Sequence, residues 1–210
     1  MKVTALKIQA RNKARVNVYL DGKFGFGLAK IVAARLAIGQ ELDDAAVERL
    51  KATDDVEQSY ERALRFLGPR PRSESEVRRR LREKGVEPGT IDEVVARLTR
   101  AGLVNDQAFA SYWVENRVTF RPRSTRVLRA ELKQKGVSEE VLQGALAGTN
   151  DAEAAYSVAA KRARRLEGLE YQEFRRKLGD FLARRGFDYD TIEPVVERVW
   201  RESQAGSAEA

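Results

Sequence analysis

Apolar and polar residues alternate over the first part of the chain and then change period. Leu6, Ile8 and Ala10, then Val16, Val18 and Leu20, then Phe24 and Phe26 recur every second residue, the spacing of strands with one buried face. Asp21-Gly22, between Leu20 and Lys23, has the composition of a two-residue hairpin turn, because both positions take positive φ at little cost; Asn12-Lys13 marks the earlier reversal. The pattern predicts a three-stranded antiparallel meander. So small a sheet needs cover. A helix over about residues 28–37, with Ile31, Val32 and Leu36 on one side and Gly39 after it, is placed to supply it, and a short helix over 44–52 follows.

From about Asp54 the period is 3.6. Three segments end on a Leu, two residues, a cation and a Gly: Leu81 to Gly85, Leu132 to Gly136 and Leu182 to Gly186, with the glycines 51 and 50 residues apart. Eight residues before each glycine stand Val77, Leu128 and Leu178; six after stand Ile91, Leu142 and Ile192; ten after stand Val95, Leu146 and Val196. Two amphipathic helices joined by a glycine turn are therefore used three times. A further helix precedes each pair. Asp54 and Glu57 have capping-box spacing ahead of Tyr60, Leu64 and Leu67; Asn105 precedes Phe109, Tyr112 and Trp113, a cluster expected in the core of the second unit; Asn150-Asp151 opens the third. Gly68-Pro69-Arg70-Pro71 ends one helix and Ser73 with Glu76 caps the next. Arg-Pro-Arg-Ser recurs at 70–73 and 121–124; in the third unit Glu167-Gly168-Leu169 replaces it, and Phe174 stands where the Ser would be. Trp200 is expected to hold down the last helix, and Pro194 requires that helix to begin near Asp190 or Thr191, or to kink.

The predicted fold is mainly α: three tandem three-helix-bundle repeats in a curved array, preceded by a small N-terminal antiparallel β-meander with covering helices. The expected divisions are a basic β-hairpin and helix module at 1–53, repeats at 54–102, 103–149 and 150–202, and a disordered tail at 203–210. Units of this size bury little apolar surface alone, so neighbours are expected to lean on one another through their first and third helices.

Composition narrows the chemistry. The 210 residues include no Cys and no His, which removes disulfides, thiolate nucleophiles, the usual zinc ligands and the side chain most used for proton transfer near neutral pH. No catalytic, metal or cofactor site is expected, and a non-enzyme is the reading. No apolar run approaches the roughly 18 to 20 residues that cross a bilayer and no signal segment opens the chain, so a cytoplasmic location without membrane contact is expected. The net charge is +7, and residues 1–40 carry all of it, with eight cations against Asp21 alone. That unbalanced field points to a polyanion at the N-terminal module, with Lys7, Arg11, Lys13, Arg15 and Lys23 as candidate DNA anchors. Residues 70–84 carry +4 and residues 121–135 carry +5, at matched positions of two repeats. Proline and the serine cap explain the turns; two arginines at each turn remain to be explained. Arg70, Arg72, Arg78, Arg79, Arg121, Arg123, Arg126, Arg129 and Lys133 are the candidate contacts to acidic protein surface or phosphate, for which the guanidinium fork is well shaped. A solvated helix face is the competing reading. Lys84, Lys135 and Arg185 are read as cations that favour a helix C-terminus. A freestanding helix-turn-helix DNA-binding regulator is the alternative function. The helices after Gly85 and Gly136 argue against it, since Glu87, Asp92, Glu93, Glu139 and Glu140 would repel phosphate.

Five blocks in order resemble one family, the RecX regulators of the bacterial RecA recombinase. They are Ala63-Leu64 with Arg70-Pro71-Arg72-Ser73-Glu74-Ser75-Glu76; Leu81-Arg82-Glu83-Lys84-Gly85; Ala101-Gly102-Leu103-Val104-Asn105-Asp106-Gln107-Ala108-Phe109-Ala110; Leu132-Lys133-Gln134-Lys135-Gly136-Val137; and Phe181-Leu182-Ala183-Arg184-Arg185-Gly186-Phe187. The resemblance implies tandem three-helix repeats, cytoplasmic location, no catalytic centre, and binding along the RecA filament on single-stranded DNA. It also implies restraint of filament growth, ATP hydrolysis, strand exchange and coprotease action, and so a place in homologous recombination, DNA repair and the SOS response. The expected partners are the RecA filament and single-stranded DNA, met by a monomer. Asn105 stands where many members have Asp, an exchange that an N-cap tolerates. The β-bearing N-terminus resembles the longer members.

Overall fold

The computed structural model describes residues 1–208. Three strands are followed by ten helices among the described residues, and the chain divides into two compact units, Met1–Val104 and Asn105–Ala210.

In the first unit β1 (Val3–Ile8), β2 (Arg15–Leu20) and β3 (Lys23–Ala29) pair antiparallel in the order β1-β2-β3, the expected meander. Asp21 and Gly22 turn the second hairpin at φ of +49° and +82°. Each hairpin carries a bulge that period-two reasoning does not contain. Val18 opposes Phe26 but Tyr19 opposes Phe24, which makes Gly25 the extra residue and switches the alternation. Phe26 therefore leans on the core, while Phe24 stands beside Tyr19 on the outer face with 60% of its surface exposed. The core under the sheet is Val3, Val16, Val18, Leu20 and Leu28, closed by Val32, Leu42 and Val47; Ile8, at the end of an edge strand, is exposed.

Cover comes from a different helix than expected. α1 (Lys30–Ala33) is a single turn, and α2 (Asp44–Leu67) is one helix of 24 residues running through the position where two were predicted. No Gly or Pro interrupts residues 44–67. The apparent capping pair inside it has other partners. The Asp54 carboxylate, 4% exposed, accepts the Ala29 N–H at 2.5 Å, the Arg15 guanidinium at 2.9 Å and the Gln58 amide at 2.8 Å, while Glu57 pairs with Arg97. The first half of α2 thus closes the sheet core through Val47, and its second half enters the next core through Ala63. The expected division at 53 falls inside this shared helix. α3 (Glu74–Arg82) and α4 (Pro88–Arg100) complete the first repeat, burying Val77, Leu81, Ile91, Val94, Val95 and Leu98.

The second unit holds two repeats: α5 (Asp106–Phe120), α6 (Thr125–Gln134) and α7 (Glu139–Leu146), then α8 (Asp151–Ala163), α9 (Tyr171–Ala183) and α10 (Tyr189–Ala208). Each has its own core. Phe109, Leu128, Leu132 and Leu142 anchor one; Phe174, Leu178, Leu182 and Val196 anchor the other. Trp113 lies at the edge of its core, 5.9 Å from Phe109, with Nε1 donating to Glu131 at 2.8 Å, and Tyr112 is exposed. Trp200 packs against Phe174 at 5.0 Å. α10 begins at Tyr189, where Asp188 accepts the Thr191 N–H, and carries Pro194 inside it. It continues through Ala208, so the first part of the expected disordered tail is helical; residues 209 and 210 lie outside the described residues.

The repeated glycines end helices in one way. Gly85, Gly136 and Gly186 sit at φ of +72°, +76° and +92°, and the following residue donates back to the Leu five positions earlier: Val86 to Leu81, Val137 to Leu132, Phe187 to Leu182. That is a Schellman cap with its apolar contact, and it needs the left-handed backbone that glycine adopts without a Cβ penalty.

Candidate functional site

The basic links are set by the caps that follow them. In the first, Ser73 and Glu76 form a full capping box on α3. Arg70 reaches over it and forks onto the same carboxylate, with Nη2 2.9 Å from Oε1 and Nη1 3.3 Å from Oε2 of Glu76, whose side chain is almost fully buried. Arg72 lies flat on Phe66, its guanidinium carbon 4.1 Å from the ring centroid. Burial there, with the like charge of Arg70, pulls its pKa down. Arg78 bridges Glu74 at 2.7 Å and Asp92 at 2.5 Å, and these bonds raise its pKa. Arg79 is exposed and has no ion pair among the described residues.

The second link carries the same four residues in different surroundings. Val127 stands where Glu76 does, so Ser124 caps α6 without a box. Arg121 is exposed and has no ion pair among the described residues, and Arg123 is 3.6 Å from Glu131. The rest of the link seats on the third repeat. The Ser124 N–H donates to Arg185 O at 3.2 Å, Arg185 Nη1 to Pro122 O at 3.3 Å, Arg126 Nη2 to Gly186 O at 3.3 Å, and Thr125 N–H to Asp151 at 2.7 Å. A Cβ on Gly186 would overlap Val127 Cγ2 and stand 2.8 Å from Ser124 Oγ, whereas one on Gly85 would meet nothing within 4 Å. Neighbouring repeats were expected to meet through first and third helices; between the second and third repeats the first helix α8 does take part, through Asp151, but the link and the glycine turn make the rest of the joint. Arg129 and Lys133 both pair with Glu139 on α7, and those contacts, Lys133 first, hold the Glu139 carboxyl below its ordinary pKa.

The N-terminal cations are spread over the sheet rather than gathered. Arg11 and Lys13 lie in the loop joining β1 to β2, and Lys23 starts β3 at the opposite end. Lys7 projects between them, 5.1 Å from the centroid of Tyr19, which meets Phe24 edge-on at 6.1 Å. Arg15 is occupied by Asp54 and Gly27 O. The two outer-face aromatics are candidate contact residues that sequence reasoning missed, because the bulge at Gly25 moves Phe24 out of the core. Among the described residues no acidic cluster is arranged to hold a metal, and no helix is long and apolar enough to cross a membrane.

A basic three-strand sheet followed by three three-helix units is an arrangement that known families can be tested against. Family models match four consecutive stretches: "Regulatory protein RecX N-terminal domain" at residues 1–43, and the first, second and third RecX three-helix domains at 60–98, 105–146 and 150–196. The chain is 31% identical over 207 residues to a "Regulatory protein RecX" of Leuconostoc mesenteroides, covering 96% of this chain and 77% of that one. It is 30% identical over 210 residues to the Bacillus licheniformis protein of the same name, covering 98% and 80%. A solved structure described as "Crystal structure of regulatory protein RecX" superposes with a TM-score of 0.74 at 27% identity, covering 93% of this chain and 98% of that one. The chain belongs to the RecX family of regulatory proteins.

Proposed function

We propose that this protein binds the RecA filament on single-stranded DNA and restrains its growth, ATP hydrolysis, strand exchange and coprotease action. The observation that carries the reading is the run of all four RecX domains in order along residues 1–196. A non-catalytic role fits a chain without Cys or His whose relatives are named regulatory proteins. The domain divisions at 102 and 149 and the cytoplasmic, monomeric state belong to this proposal.

The contact surface follows from which cations are already paired. Arg70, Arg72, Arg78, Arg129 and Lys133 have partners within their own repeats, and Arg15 holds α2. Arg123 pairs with Glu131 and Arg126 holds Gly186 O; Arg79 and Arg121 are the repeat cations among the candidates with no side-chain partner among the described residues, so they meet carboxylates or phosphates of the filament without first losing an internal partner. Lys7, Lys13 and Lys23 add a salt-sensitive contact to DNA. The test is RecA ATPase on single-stranded DNA with this protein titrated in at substoichiometric amounts. Hydrolysis should fall. Unchanged hydrolysis, together with tight sequence-selective binding to duplex in a mobility shift, would favour a freestanding DNA-binding regulator.

A further inference from the structure

Where the second repeat seats on the third, the structure leaves a cleft of about 280 Å³ between the end of α5, Pro122, α8 and α9. Four cations line it, Lys161, Arg162, Arg165 and Arg185, and no carboxylate does. None of the four has an ion pair among the described residues, unlike Arg78 of α3 and Arg129 and Lys133 of α6. Arg162 and Arg185 converge on the same ring, their guanidinium carbons 5.6 Å and 4.5 Å from the centroid of Phe181, and the Nε of each is buried without a hydrogen-bond partner. Concentrating like charge beside buried, unsatisfied donors is unfavourable in the free protein and is relieved by an anion. On the rim stands Phe120, 74% exposed at the last position of α5.

We propose that this cleft takes a backbone phosphate of single-stranded nucleic acid, with the adjoining base stacked on Phe120. An acidic protein segment would satisfy the cations as well, but it has no use for an exposed ring beside them. Ring and cations together are how sequence-tolerant single-strand sites are built, and a paired base has no free face to offer. The position was invisible in the sequence because Arg185 reads as a helix-terminal cation and Lys161, Arg162 and Arg165 as an ordinary charge run; only the seating of link on turn brings them together. The inference rests on the reading that this protein meets single-stranded DNA, yet its test needs no recombinase.

The experiment uses the full chain, a fluorescein-labelled oligothymidylate followed by anisotropy across a salt series, and inorganic polyphosphate and polyglutamate as competitors. Phe120→Ala changes an exposed side chain, and Lys161→Ala with Arg165→Ala removes two cations that hold nothing else; Arg185 is left intact because it holds Pro122. Phe120→Ala should weaken the oligonucleotide by about five-fold or more without changing polyphosphate binding. The double variant should weaken both and lower the slope of log affinity against log salt by about one, the scale of a single phosphate contact. Oligonucleotide affinity unchanged in both variants would overturn the site, as would no oligonucleotide binding by the unaltered protein. Displacement by polyglutamate as effective as by polyphosphate, with Phe120→Ala neutral, would overturn it in favour of an acidic protein partner. No oligonucleotide binding by the unaltered protein, with filament inhibition retained, rejects this site alone; oligonucleotide binding lost in the variants as expected, with no filament inhibition by the unaltered protein, rejects the inhibition alone.

Discussion

Arg-Pro-Arg-Ser is spelled identically at 70–73 and 121–124, and the two copies do different things. In the first, Arg70 is locked onto a buried capping carboxylate and Arg72 onto a ring, so the link is tied to its own repeat. In the second, Val127 replaces that carboxylate, Arg121 stays exposed, and backbone groups of the link receive the Arg185-Gly186 turn of the next repeat. The residue three places past the serine separates Arg70, held by Glu76, from Arg121, which has Val127 at that place and stays exposed. Identical sequence at matched positions therefore does not establish a repeated contact.

The sharpest way to break that contrast is at the glycines. Gly186→Ala should cost about 2–5 kcal/mol, combining roughly 1–2 kcal/mol for a left-handed alanine with about 1–3 kcal/mol for the overlap on Val127. Gly85→Ala, with nothing near its Cβ, should cost only the first of these. Urea unfolding of both variants checks this, and equal losses would mean the link does not seat on the turn.

Next in size are the arginines. Arg70→Ala should destabilise by about 1–2 kcal/mol because Glu76 is left buried with its charge partly uncompensated. Arg121→Ala should stay within about 0.5 kcal/mol, as expected of an exposed side chain with no partner to orphan. Thermal unfolding of the pair measures the difference; similar losses would erase the distinction between the links.

A smaller effect separates the repeats by pH. The folded-state pKa of Glu139 is depressed by Lys133 and Arg129, so the stability it contributes is complete above the unfolded glutamate value, about 4.3, and is lost as pH falls through the lower folded value. Glu139→Gln should flatten the acid limb of the stability curve below about pH 4.3 and leave it unchanged at neutral pH apart from a constant offset. An acid limb with undiminished slope would show that the pair contributes nothing.

Much of this architecture was legible. Glycine caps at a near-constant spacing, with apolar residues at fixed offsets, place six helices of three repeats, the caps Asn105 and Asn150 place two more, and the alternation over residues 3–26 places the sheet. What escaped is instructive. Asp54 and Glu57 have capping-box spacing but sit mid-helix, because a carboxylate that accepts a strand N–H and an arginine from far along the chain looks locally the same as a cap. Gly25 hides a bulge, since a period of two carries no mark of an inserted residue. For the candidate site, the sequence located the basic positions but not their pairing: Asp92 and Glu139 neutralise Arg78, Arg129 and Lys133 from the neighbouring helix, which only packing reveals.

The central proposal is that exposed arginines left without an internal partner, Arg79 and Arg121, meet the filament. It is tested most directly by titrating the Arg79→Glu, Arg121→Glu double variant against RecA ATPase on single-stranded DNA beside the unaltered protein, with circular dichroism confirming equal helix content. The variant should need roughly ten-fold or more protein for half inhibition, the scale of two lost charge-assisted contacts that turn repulsive. Superimposable inhibition curves would contradict it.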